Sequence, residues 1–314
     1  MRQVRCLAVG ESIYIVLTYL QQSSLKVRGM VLTTTKELFQ RAEDEKYAIG
    51  AFNANNLEMV QAIIEAAEEE NAPVILQASQ GAIKYAGLDF IVGMVTTAAK
   101  QVKVPVVLHL DHGTDFEQNV KCLRAGFTSL MFDGSALPFE KNVEITRKIV
   151  EIAHPVGIPV EAEIGRVAGT EDHITVSEVE ALMTDPEEAK KFVELTNCDS
   201  VAVAVGNVHR MLTRTAKLDI PRIRKIKELV GIPLVLHGAT GIPDDGIKEA
   251  IAAGVRKINI ATELNRAFVN GIKESIQKMP DEVDPRKILK KSKENVKNAV
   301  KEKMRLFGCV GKGV

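Results

Sequence analysis

Three histidines, His112, His209 and His237, carry the first chemical signal in a sequence of 314 residues that has six histidines in all. Each stands at or just past the end of a short aliphatic run: Val106 to Leu110, Ser200 to Val205 and Pro233 to Leu236. A histidine alone in such a place is ordinarily a hydrogen-bonded structural residue. Three imidazoles brought together leave positions open on a zinc-like dication, which is the arrangement of a catalytic site and not of a structural one.

Acidic residues accompany them. Asp111 adjoins His112, Asp133 and Glu163 end two further aliphatic runs, and Glu171 lies on the loop beyond Glu163. Carboxylates at such positions also cap helices or pair with lysines, and Asp133 fits that role equally well. Asp111 differs, because its neighbour His112 fixes it beside the ion, where it can exchange a proton with a substrate hydroxyl.

An anion site is suggested by His237-Gly238-Ala239-Thr240-Gly241, whose glycines let backbone N–H groups approach a phosphate while Thr240 donates a hydroxyl. Glycine there also suits a plain tight turn. Ser79, Asn259 and Thr262 are further candidates for anion or sugar contacts, as is Asn53, although serine and asparagine also serve turns. Lys257 raises a rival chemistry, since it shares a strand face with Asn259 and could form a Schiff base with a ketone. A lysine neutralised by a carboxylate inside the fold is the plainer expectation.

These residues need a scaffold that gathers strand ends. From Met30 onward the runs Ala48 to Phe52, Val74 to Ala78, Val106 to Leu110, Ser129 to Phe132, Pro159 to Glu163, Ser200 to Val205, Pro233 to Leu236 and Arg256 to Ile260 alternate with amphipathic stretches. That alternation predicts a parallel sheet with crossover helices, closed as one (β/α)8 TIM barrel whose C-terminal rim holds the polar residues. Helices are expected over Asn56 to Glu70, Phe116 to Ala125, Phe139 to His154, Pro186 to Thr196 and Asp244 to Ala253. A lysine-rich helix over Pro285 to Phe307 is expected to add a solvated C-terminal face. Residues 1–29 read as an appended extension, because their apolar stretch from Ile13 to Leu20 is too short to span a bilayer.

Lysine plus arginine equal aspartate plus glutamate at 41 each, so no bulk charge favours nucleic acid or an anionic membrane as partner. Cys6, Cys122, Cys198 and Cys309 show no CxxC pair, which suits a reducing cytoplasm.

Five stretches, in order and at barrel spacing, make the chain resemble the class II ketose-bisphosphate aldolases from Met30 to about Phe307: Gly50-Ala51-Phe52-Asn53, Leu108-His109-Leu110-Asp111-His112-Gly113, Glu161-Ala162-Glu163-Ile164-Gly165, Gly206-Asn207-Val208-His209 and Leu236-His237-Gly238. The resemblance implies zinc on His112, His209 and His237, with a second divalent or a monovalent cation as a further option. It implies Asp111 as the proton carrier at the carbon where the bond breaks, and Glu171 as a loop carboxylate for the ketone fragment. Glu163 and Asp133 match acidic positions near the metal, and Ser79, Gly238, Thr240, Asn259 and Thr262 match phosphate or sugar contacts. Retro-aldol cleavage fits this set, since a dication spreads the resulting charge as an enediolate and no covalent lysine is needed. A phosphorylated ketose, fructose 1,6-bisphosphate first and tagatose bisphosphate next, is the implied substrate, and a homodimer or homotetramer the implied assembly.

The chain departs from the family pattern at three places. Arg210, then Thr213-Arg214, stand where glycine and a nearby lysine are common, so Arg210 becomes a candidate phosphate contact or a space-filling group. Ala239-Thr240 replaces a usual Gly-Ser pair, and Ala261 replaces a group that helps read hydroxyl stereochemistry, which leaves fructose and tagatose unseparated. Asn265 stands where some members carry an arginine that reaches a neighbouring subunit. Two other functions share the same residues: a metal and phosphosugar binder without turnover, and a barrel isomerase or epimerase working through the same intermediate.

Overall fold

Each aliphatic run becomes a strand buried along its length, the state that β-branched and aliphatic residues favour when helices cover the outside of a parallel sheet. A computed structural model describes residues 32–171, 174–176, 182–211 and 213–313; the expected extension, residues 1–29, lies outside the described residues. The first five strands are β1 (Ile49–Asn53), β2 (Val74–Ser79), β3 (Val106–Asp111), β4 (Leu130–Phe132) and β5 (Val160–Ile164). There follow β6 (Ala168–Glu171), β7 (Ile174–Val176), β8 (Ser200–Val203), β9 (Val208–His209), β10 (Leu234–Leu236) and β11 (Val255–Ile260).

Eight strands pair in parallel in the order β3-β2-β1-β11-β10-β8-β5-β4. Parallel bridges His109 to Ser129 and Gly113 to Phe132 then join β3 to β4, which closes the sheet into a barrel. The expected (β/α)8 fold is therefore the observed one. A feature not anticipated is a second small sheet, β7-β6-β9, which places Glu171 at the end of a strand and not on a loop.

The helices are α1 (Thr35–Glu45), α2 (Leu57–Glu69), α3 (Gln80–Ala86), α4 (Leu88–Ala99), α5 (Phe116–Ala125) and α6 (Phe139–Ala153), then α7 (Pro186–Thr196), α8 (Ile220–Val230), α9 (Asp244–Ala253), α10 (Thr262–Lys278) and α11 (Pro285–Phe307). Their ends follow local chemistry: Asp115 caps α5 by accepting from the Gln118 N–H at 2.6 Å, and Asp185 caps α7, whose first residue is Pro186. Among the described residues no single helix is long and apolar enough to cross a membrane.

The lysines of α11 are not merely solvated. Lys293 reaches Glu65 at 2.5 Å, Lys297 and Lys301 reach Glu69 at 2.9 and 2.8 Å, and Arg305 reaches Glu70 at 2.6 Å, a ladder that ties α11 to α2.

Inside the barrel, period-two alternation sorts each strand. On β11, Lys257 and Asn259 meet Glu161 and Asp111 within the barrel, while Arg256 turns outward to Glu43 of α1. Glu161 and Glu163 share the inward face of β5, and His109 and Asp111 that of β3. The interior thus carries polar layers below its C-terminal rim where most barrels carry aliphatic ones.

Candidate active site

His112, His209 and His237 meet at that rim. His112 follows β3 with a left-handed backbone, φ 46°, an uncommon conformation for a residue with a side chain and one that often marks a functional site. The ring centroids lie 4.6 Å apart for His112 and His237, 5.6 Å for His112 and His209 and 6.2 Å for His209 and His237. All three are buried, and each offers a nitrogen within 4.8 Å of the others. Imidazole nitrogens on tetrahedral zinc sit roughly 3.3 Å apart, so side-chain movements of about 1 Å would close the set around an ion.

Carboxylates orient two of the rings. Asp133 Oδ2 lies 2.8 Å from His112 Nδ1, which directs Nε2 toward the centre. Glu161 Oε1 lies 3.1 Å from His237 Nε2, which directs Nδ1 there instead. A carboxylate behind a histidine in this way fixes the tautomer and raises the basicity of the other nitrogen. Glu163 Oε2 stands 3.2 Å from His237 Nδ1 and 3.9 Å from His112 Nδ1. Both His237 Nδ1 and Glu163 Oε2 are buried and outside hydrogen-bond alignment, the state expected of atoms set to face a cation. A second possible ligand group is His112, Asp133 and Glu163.

The electrostatics agree. Burial opposes ionisation of Asp133, but the hydrogen bond and charge of His112, with Ser135, outweigh it and hold the carboxyl down at about 2. For His237 burial works against the charged ring, and the Glu163 charge with the Glu161 hydrogen bond overcomes it, raising the group to about 9. Burial likewise resists the Glu161 charge, and the Lys257 ammonium 2.9 Å away reverses that, keeping the carboxyl well below its usual range. His109, wholly buried and repelled by Lys257, is held well below the usual imidazole range; its Nδ1 meets Ser129 Oγ at 2.8 Å.

Asp111 is fully buried beside the histidines, with Asn53 Nδ2 donating to one carboxylate oxygen at 2.7 Å and Asn259 Nδ2 to the other at 3.0 Å. Gln77 in turn donates to Asn53 Oδ1 at 2.6 Å. Asn53 and Asn259, expected as substrate contacts, are thus first of all the clamp that aims Asp111. A cavity of about 60 Å³ opens above it, lined by Asn53, Ser79, Asp111, Arg210, Ala261 and Thr262 among others. Ser79 also caps α3 by accepting from the Ala82 N–H at 3.3 Å, and Thr262 opens α10.

Gly238 has φ 60°, and a Cβ there would lie 2.8 Å from the Val208 carbonyl carbon and 3.0 Å from the His209 nitrogen. Gly169 on β6 stands against the same strand, where a Cβ would lie 2.3 Å from the His209 oxygen. Both glycines therefore make room for the β9 backbone that carries His209, a role for Gly238 beyond a phosphate turn. Thr240 sits in the short 3-10 turn Ala239–Gly241 that follows. The Glu171 side chain lies outside the described residues.

Lys257 follows the plainer expectation, fully buried and paired with Glu161. Two contributors escaped the sequence reading. Glu161 was legible, since it lies two residues before Glu163 and so shares its face. Asn207 was not: its Nδ2 donates to the His237 carbonyl at 3.0 Å, a contact made across strands, while its Oδ1 accepts locally from the Val205 N–H at 2.8 Å.

Residues 33–312 match the family model described as fructose-bisphosphate aldolase class-II. The chain belongs to that family. It is 45% identical over 305 residues to the fructose-bisphosphate aldolase of Thermus caldophilus, a match that covers 90% of this chain and 100% of that one. The fructose-bisphosphate aldolase of Geobacillus stearothermophilus is 46% identical over 286 residues, with 90% and 99% covered. Among solved structures, the YdjI aldolase from Escherichia coli K12 superposes with a TM-score of 0.79 at 37% identity, over 90% of this chain and 100% of that one. Class II aldolases are metal-dependent, and the histidine and carboxylate groups above are the candidate ligands.

Within this class II aldolase the departures have definite places. Arg210 and Ala261 line the cavity above Asp111, and Asn265, beside them, accepts from Asn55 Nδ2 at 3.0 Å. Arg214 is 2.9 Å from Asp244 and 3.7 Å from Glu263, which ties its loop to the first turns of α9 and α10.

Proposed function

We propose that the chain catalyses the reversible aldol cleavage of fructose 1,6-bisphosphate to dihydroxyacetone phosphate and glyceraldehyde 3-phosphate, with zinc held by His112, His209 and His237. The observation that carries this reading is the meeting of three buried imidazoles from three strand ends within reach of one ion, beside a carboxylate clamped by two amides. When bound, the dication supplies Lewis-acid stabilisation of the charge that C–C cleavage leaves beside the ketone.

The chain's own groups supply the rest. Asp111 takes the proton from the hydroxyl on the carbon that becomes the aldehyde, and returns it in the synthetic direction. Because Asn53 and Asn259 donate to both of its oxygens, the carboxylate is held in one orientation. Asp133 and Glu161 hold two ligand rings in register, and Glu163 stands at the metal side between them. Glu171, at the end of β6, is the group assigned to proton exchange on the ketone fragment. Ser79, Gly238, Thr240 and Thr262 furnish hydroxyl and backbone donors to phosphate or sugar oxygens.

The cellular setting we assign is the cytoplasm, with residues 1–29 dispensable because the family match begins at residue 33. A homodimer or homotetramer is proposed, with the exposed apolar side chains Leu57 and Phe90, which line one surface groove, offering a face for a second copy. A coupled triose-phosphate assay of the zinc-loaded protein, run on fructose and tagatose bisphosphates with Asp111→Ala as control, tests the activity. Faster turnover of the fructose substrate is expected. Tight binding with no triose phosphate released would make the chain a binder, and a preference for tagatose bisphosphate would reassign the substrate.

A further inference from the structure

Arg210 directly follows His209, and its backbone is left-handed at φ 54° although it carries a long side chain. Such a conformation persists only where the surroundings dictate it. Here they do. Upstream, β9 packs against Gly169 and Gly238, both of which lack the Cβ that would strike it. Downstream, Met211 packs against Gly241, where a Cβ would come within 2.6 Å of the Met211 Cβ. Close packing therefore flanks Arg210 on both sides.

Arg210, an exposed residue, lines the cavity above Asp111 together with Asn53, Ser79, Ala261 and Thr262. Its other polar lining groups are neutral, apart from Asp111 itself. Deeper carboxylates, Asp133, Glu161 and Glu163, make the surroundings unfavourable to a dianion. The nearby cations are engaged, Lys257 with Glu161 at 2.9 Å and Arg214 with Asp244 at 2.9 Å. Among the described residues Arg210 is the one cationic side chain that lines this cavity. A guanidinium offers a planar fork of donors that matches a phosphoryl group in two places at once.

We infer that Arg210 is a specificity-determining residue of this chain: its guanidinium binds one phosphoryl group of the ketose across the cavity from Asp111 and so sets the demand for a phosphate at that end. The inference rests on the aldolase reading for its substrate class. It departs from a phosphate site built of glycine N–H groups alone, since the charge here comes from a side chain.

The test is a comparison of wild type, Arg210→Ala, Arg210→Lys and Arg210→Gly, each loaded with zinc and checked for metal content and melting temperature. KM and kcat are measured with fructose 1,6-bisphosphate, and direct binding of dihydroxyacetone phosphate, glyceraldehyde 3-phosphate and inorganic phosphate by calorimetry. Arg210→Ala is expected to raise KM about tenfold or more, with the loss falling on KM and not on kcat. It should also weaken one of the two triose phosphates and leave the other alone, with Arg210→Lys recovering part of the loss. Unchanged KM and unchanged triose-phosphate binding in Arg210→Ala would overturn the inference. So would higher kcat/KM in Arg210→Gly, because the side chain would then be an obstruction. If wild type cleaves no ketose bisphosphate, the aldolase reading fails, and the phosphate-binding comparison alone still decides the role of Arg210.

Discussion

Replacing Glu161 by glutamine separates what this buried carboxylate does for stability from what it does for the metal. Its Oε1 lies 3.1 Å from both His237 Nε2 and Lys257 Nζ, and Oε2 lies 2.9 Å from Lys257 Nζ. Glutamine keeps one acceptor for these two donors and removes the charge, leaving the Lys257 ammonium in the barrel uncompensated. Breaking one side of a buried ion pair costs about 3–5 kcal/mol. At about 2–4 °C per kcal/mol for a domain of this size, the melting temperature should fall by roughly 6–20 °C. Metal affinity should fall about 10–100-fold as well, since His237 loses the group that sets its tautomer and orientation.

The double variant Glu161→Leu with Lys257→Met pulls the two effects apart. Replacing a whole buried pair by apolar groups is often neutral in stability, so most of the melting temperature should return. Metal affinity should not, because leucine cannot hold His237 Nε2. Differential scanning calorimetry of the metal-free proteins and zinc titration against a competing chelator give the two readings. Recovery of zinc affinity in the double variant would refute the reasoning, and so would a Glu161→Gln protein with unaltered melting and metal binding.

Chelation by EDTA should abolish activity and zinc or cobalt restore it, while borohydride with substrate leaves Lys257 unmodified, as mass spectrometry of the peptide will show. Gly238→Ala adds a Cβ 2.8 Å from the Val208 carbonyl carbon at a left-handed position, so it should displace β9 with His209 and lose at least about tenfold in zinc affinity, measured by the same titration. Asp111→Ala should lower kcat by about 10²–10⁴-fold with zinc content intact, which separates proton transfer from metal binding. Deleting residues 1–29 should leave kcat/KM within twofold or so by the coupled assay, as expected of a segment that precedes the family match at residue 33.

Strand positions were legible because burial on both faces demands aliphatic, β-branched residues in short runs, and such runs cannot hide in a sequence. The helices Phe116–Ala125, Pro186–Thr196, Asp244–Ala253 and Pro285–Phe307 were equally plain from their caps and periodicity. Barrel topology places the C-terminal strand ends on one rim, so the sequence also named the histidines and Asp111. The family resemblance then assigned them roles that composition and spacing could not.

What it could not settle was which partner each group meets, because those contacts cross strands far apart in the chain. Asn53 and Asn259 looked like substrate donors and serve first as the clamp on Asp111; Asp133 could have been a cap and instead backs His112. Gly169 gave no sign that it faces His209, since β6 and β9 pair through a small sheet outside the barrel period. Residue type and local pattern fixed where each side chain starts, and only closure of the barrel decided what stands opposite it.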